Sequence, residues 1–301
     1  MIKLSRLILA SVLPLTIAVP ASNIAIANSS TPACVNGDAT DPDGDGWGYE
    51  NGVSCLVGTA DAGGAGSACS RISHAQLTSA LEQALSDNNG GLDFAMWGTL
   101  VDRSGVVCHV TRANGLAGDD PWPGSRVISA QKANTANAFS NRQIALSTAN
   151  LYAPVRDGGS LFGLQASNPV DTGVAYRGDS GTFGTPNDPM SGGRIGGVNV
   201  FGGGVALYYG GDVIGAIGFS GDTSCADHNI AWKVREFLSL TEDFTPVGND
   251  VGGVGPGGTD DIIFDSAGGD GNGEVDGFEH AENCPGSPLD FVPNVSLNSD
   301  S

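Results

Sequence analysis

The sequence predicts an α+β fold: an antiparallel sheet packed by helices, built from residues 71–241. Three observations predict it. Two pairs of β-rich runs each turn on a short glycine-containing segment. Three other stretches carry apolar residues at helical spacing. Their order is helix, strand, strand, helix, long insert, strand, strand, helix.

Ser73 is the expected N-cap of "HAQLTSALEQAL", where Leu77, Leu81 and Leu85 recur at i, i+4 and i+8, and the Asn/Gly cluster that follows ends the helix. "LDFAMWGTLVD" and "VVCHVTRA" read as two strands of a hairpin turning at "RSG". "SRVISAQKANTANAFS" is Ala-rich and reads as the second helix. Residues 150–197 form a Gly/Pro-rich insert, a natural place for a site. "VNVFGGGVALYYGGDVIGAIGFSG" is the strongest hairpin, joined at Gly210-Gly211-Asp212. "CADHNIAWKVREFLSL" returns as a helix with Ile230, Val234 and Leu238 on one face.

The flanks differ in composition. Lys3 and Arg6, the apolar run Leu7–Val19 and the small residues Ala25-Ile26-Ala27 read as a secretory signal peptide, residues 1–27, cleaved after Ala27. Residues 28–57 form a Cys-bracketed acidic module, 58–70 a Gly-rich linker, and 242–301 an acidic tail containing 13 Asp and Glu and no Lys or Arg. The expected location is therefore secreted or periplasmic. No later stretch is apolar for the length of a membrane span. The net charge of −20 disfavours nucleic acid and anionic lipid and favours cations.

Export permits disulfides. The layout pairs Cys34 with Cys55 around the acidic module and Cys225 with Cys284, stapling the tail to the last helix. Cys69 and Cys108 remain as the third pair. There is no zinc-ligand spacing, no Walker-type loop and no strand-GxGxxG-helix unit.

"VDRSGVVCHVTR", "AQKANTANAFS" and above all "GGGVALYYGGDVIGAIGFSGDT" resemble the GlcG/HbpS-like family of heme-binding proteins over about residues 73–240. The resemblance implies a profilin-like fold, heme or a related tetrapyrrole as ligand, and frequent homo-oligomerisation. The insert 150–197, the "SCADHNIAW" helix start and the acidic tail depart from the short members of that family.

Three residues are candidate heme ligands. His228 lies in the first turn of the last helix, where a neutral imidazole can hold iron and Asp227 or a carbonyl can orient its other nitrogen; the alternative is a surface residue at a helix start. His109 follows Cys108 on a strand and reads otherwise as half-exposed. Tyr208, with Tyr152 and Tyr176, offers tyrosinate as a ferric ligand. His74 and His280 read as solvated. Gly178-Asp179-Ser180-Gly181 matches a serine-protease motif in four letters only, without the histidine context that chemistry needs.

Two acidic loops are candidate calcium sites. In the first, Asp41, Asp43 and Asp45 occupy positions 1, 3 and 5 of a DxDxDG loop, position 12 falls on Gly52, and Glu50 is the acid available in a different geometry. In the second, Asp270, Asn272, Gly273 and Glu279 fall at positions 3, 5, 6 and 12, with Gly268 at position 1. Trp47 and Tyr49 beside the first loop can stack on sugar rings or form the module's own small core.

These readings lead to an exported heme-binding protein without identified catalytic residues. The alternative is a calcium-dependent extracellular module that binds polysaccharide or a cell surface.

Overall fold

The computed structural model describes residues 67–118, 120–248, 251–265, 269–272 and 274–281, together with the backbone of two short strands, β1 (Trp47–Glu50) and β2 (Val53–Leu56). The signal peptide, Asp41, Asp43, Asp45, Gly273, Cys34 and Cys284 lie outside the described residues, as do the side chains of Glu50 and Cys55. Strands β1 and β2 pair antiparallel, Trp47 opposite Leu56 and Glu50 opposite Val53. The sequence between them is Asn51-Gly52, a dipeptide that favours two-residue hairpins.

In the core, α1 (Ala68–Arg71) and α2 (His74–Leu85) come first. Ser73 is the N-cap, as its position before the apolar repeat predicts, and the structure adds a full capping box with Gln76. Strands β3 (Met96–Asp102) and β4 (Val107–Ala113) follow, then α3 (Ser125–Phe139) and the two-residue β5 (Ile144–Ala145). The insert holds only short helices, α4 (Tyr152–Val155), α5 (Leu164–Ser167) and α6 (Thr172–Ala175). Strands β6 (Gly204–Tyr209) and β7 (Asp212–Ser220) lead into the 19-residue α7 (Ser224–Glu242), and β8 (Gly252–Gly253) pairs parallel with β5.

The main sheet is antiparallel throughout, in the order β4-β3-β7-β6. On one face α2 and α7 bury Leu77, Leu81, Ile230, Val234 and Leu238 against Met96, Leu100, Ile217 and Phe219. On the other, α3 lays Val127, Ala130, Ala133 and Ala136 against Trp97, Val101, Val110 and Ala216. The three layers confirm the predicted class. Among the described residues no helix is long and apolar enough to cross a membrane.

Helix α3 sits unusually close to the sheet because glycines face it. A Cβ at Gly218 would lie 2.1 Å from the Ser129 carbonyl oxygen, and one at Gly204 2.5 Å from that of Lys132. The apolar start of the second hairpin differs from expectation. The strand begins only at Gly204, because Gly203 takes φ +113° and Val198 and Val200 pack sideways onto Leu151.

The tail adds to the core. Val251 packs with Ala206, Tyr208 and Val213, while Ile262 and Phe264 pack with Ala149 and Cys225. Asp260, fully buried, makes a two-pronged ion pair with Arg235 of α7, both N–O distances being 2.7 Å.

Candidate functional site

The first cluster forms on the edge strand β4. The register slips between Leu100 and Val101, and this bulge turns two consecutive residues, Cys108 and His109, toward α1 and α2. Cys108 joins Cys69 in a disulfide, as expected. His109, half-buried, meets His74 edge-on with ring centroids 6.0 Å apart. Burial and the neighbouring His74 lower the His109 pKa, opposed by a hydrogen bond to the Ile72 backbone, so the ring is neutral near pH 7. His74 is not solvated. Its Nε2 donates to the carbonyls of Val110 (3.0 Å) and Gly184 (3.2 Å), which clamps it between β4 and the insert.

The second cluster surrounds the start of α7. His228 is 1 % exposed rather than on the surface, and neither ring nitrogen makes a hydrogen bond. Its Nε2 lies 3.3 Å from Asp261 Oδ1, within ion-pair range but out of hydrogen-bond alignment. Asp227 does not orient it. That carboxylate turns the other way, to Lys132 Nζ at 2.6 Å and the Asp222 amide at 2.9 Å. Burial raises the Asp227 pKa to about 6 despite the opposing Lys132, and burial lowers that of Lys132.

His280, expected to be solvated, is 5 % exposed. Its amide donates to the Ile263 carbonyl, and its ring lies between Tyr152 and Phe264. Its Nε2 lies 2.8 Å from Ser224 Oγ. The tail carries it there because Ile262 and Phe264, the tail's apolar run, bury themselves beside α7.

Tyr208 lies on β6, the opposite edge of the sheet from His109, so the three heme candidates do not converge. Its hydroxyl donates to the carbonyls of Asn141 (3.0 Å) and Ile144 (3.3 Å), and burial pushes its pKa up to about 12. Ionising it to bind iron opposes both effects. Tyr176 is exposed, and Ser180 of the Gly-Asp-Ser-Gly stretch sits in a short exposed turn capped by Asp179.

In the tail loop, Asp265, Asp270 and Glu279 bring carboxylate oxygens within 4.8 Å of one another. Asp265 joins the cluster from outside the expected loop pattern, whose position 1, Gly268, lies outside the described residues. Glu279 accepts the amides of Asp270 and Asp276, and Asn272 donates its side-chain amide to Asp270 rather than joining the oxygen cluster.

Sequence reasoning missed the buried pairs Lys132–Asp227, Arg126–Asp188 and Arg235–Asp260. The available signal was a cation placed among alanines in α3 or apolar residues in α7; the partners are distant in sequence and carry none. Cys225 is also a disulfide cysteine, and its expected partner Cys284 lies outside the described residues.

Among solved structures, the chain is similar to Klebsiella pneumoniae protein ORFY, 25 % identical with a TM-score of 0.39, covering 57 % of this chain and 92 % of that one. It is similar to the protein of a PduOC:heme complex, 24 % identical with a TM-score of 0.38, over 54 % and 89 %. It is also similar to a double mutant of Streptomyces reticuli HbpS, 17 % identical with a TM-score of 0.31, over 55 % and 83 %. Among curated proteins, a 31-residue stretch is 64 % identical to mannan endo-1,4-beta-mannosidase of Streptomyces lividans. That stretch is 10 % of this chain and 8 % of the mannosidase. The profile of the family described as "Haem degrading protein HbpS-like" matches residues 72–236, more than half of the chain and the whole three-layer domain from α2 into α7. The chain therefore belongs to the HbpS-like family of heme-related proteins.

Proposed function

We propose that the three-layer domain binds heme in an exported protein, with His109 as the iron ligand. Family membership carries the heme reading. The choice of His109 rests on its half-buried, neutral ring; His228 is covered by the tail at Asp261. Hemin titrated into the full chain is expected to give a Soret band that shifts or is lost in His109→Ala and persists in His228→Ala. Because burial lowers the His109 pKa, affinity is expected to hold as pH falls through the ordinary histidine value of about 6.5 and to drop only below it. The reverse mutant pattern makes His228 the ligand, and the absence of any Soret change removes heme. Bleaching of the bound band with hydrogen peroxide or ascorbate separates heme breakdown from heme holding.

A second reading concerns the segment 28–57 and adds to the first. Trp47 and Tyr49, aromatic residues able to stack on sugar rings, support a polysaccharide partner there, and the Asp41, Asp43, Asp45 ladder supports calcium. Pull-down on insoluble mannan is expected to retain the full chain in calcium, to lose it in EDTA, and to lose in both a chain beginning at Ser67, which keeps α1 and the Cys69–Cys108 disulfide. Equal retention of the shortened chain ends this reading without touching the first.

A further inference from the structure

We propose that Ser224 and His280 form a nucleophile–base pair that hydrolyses carboxylic esters. His280 Nδ1 faces the Ala281 carbonyl at 3.1 Å, and a carbonyl only accepts, so Nδ1 carries the proton. Nε2 is then the bare nitrogen, and the 2.8 Å contact is Ser224 Oγ–H donating to it. This is the hydrogen bond that activates a serine, with a backbone carbonyl orienting the base where a carboxylate often stands.

Three surrounding features favour attack at this atom. Ser224 is the first residue of the 19-residue α7, whose positive end faces negative charge developing there. The Gly202 amide donates to Ser224 Oγ at 2.6 Å and stabilises it as the proton leaves. Ser224 is partly exposed beside Phe201, which is 49 % exposed and offers an apolar wall to an acyl or alcohol group. The loop packs tightly onto this turn: a Cβ at Gly202 would lie 2.3 Å from the Ser224 carbonyl oxygen and 3.0 Å from His228 Cβ, which holds the Gly202 amide over Ser224 Oγ.

The reaction balances without another reagent. Ser224 Oγ bonds to the ester carbonyl carbon as its proton passes to His280 Nε2. The carbon–oxygen bond to the alcohol breaks, and the leaving oxygen takes that proton. Water, deprotonated by His280, then attacks the acyl-serine, releasing the acid and restoring Ser224.

The test treats the purified full chain with a fluorophosphonate probe, maps the modified peptide by mass spectrometry, and follows p-nitrophenyl butyrate hydrolysis. The native protein is expected to carry the label on Ser224, and heat-unfolded protein to carry none. His280→Gln is expected to slow labelling and hydrolysis by about 100-fold or more. Ser224→Ala is expected to abolish both, with its hemin response unchanged as the check on folding. Native protein unlabelled at Ser224, a label found on Ser180 instead, or full-rate labelling in folded His280→Gln overturns the proposal and leaves the bond as a tether between tail and helix.

Discussion

Lys132→Met is expected to cost about 3–5 kcal/mol of stability, read as a fall in the urea midpoint at unchanged slope. Lys132 is fully buried, and its ammonium bonds the Phe219 carbonyl at 2.9 Å and Asp227 at 2.6 Å. Methionine matches the stem but leaves the Asp227 carboxylate inside the protein without its countercharge. The pH dependence follows from the same group. The folded pKa of Asp227 is already raised to about 6, above its ordinary 3.8, and loss of Lys132 raises it further. A raised carboxylate pKa means that the folded state binds the extra proton, so the variant's deficit shrinks as pH falls from 8 toward 5. Lys132→Met with Asp227→Leu removes both charges and is expected to recover most of the loss. A double variant no more stable than the single one refutes this account.

Gly218→Ala is expected to destabilise by about 3 kcal/mol, at the upper end of ordinary overpacking. The added methyl would stand 2.1 Å from the Ser129 carbonyl oxygen and 2.4 Å from the Ala133 nitrogen. Both are backbone atoms of α3, so no side chain can swing away and the whole helix must lift. Gly124→Ala is the control. It sits at φ −65° with nothing near its missing Cβ, and the same substitution there is expected to change stability by less than about 1 kcal/mol. Equal effects at the two positions would show that glycine entropy, not helix approach, governs Gly218.

These two sites illustrate what local pattern can reveal. The Ser73 N-cap, the Leu77/Leu81/Leu85 repeat and the Gly210-Gly211 turn are short-range signals, and the elements they predict are present. The Cys69–Cys108 pair was reachable by allotting the remaining cysteines to each other. The environments of His228 and His280 were not legible. Each depends on residues more than thirty positions away, Asp261 for one and Ser224 for the other, brought close by burial of Ile262 and Phe264. The bulge that aims His109 is likewise a product of strand pairing, not of the residues around it.

The Arg235–Asp260 pair has a consequence for where the domain ends. The family match stops at 236, yet the guanidinium at 235 is neutralised by a carboxylate at 260. A polypeptide cut between them keeps every residue of the recognised family and strands a cation in the interior. The length that identifies this protein and the length that folds it are different, and the acidic tail supplies the difference.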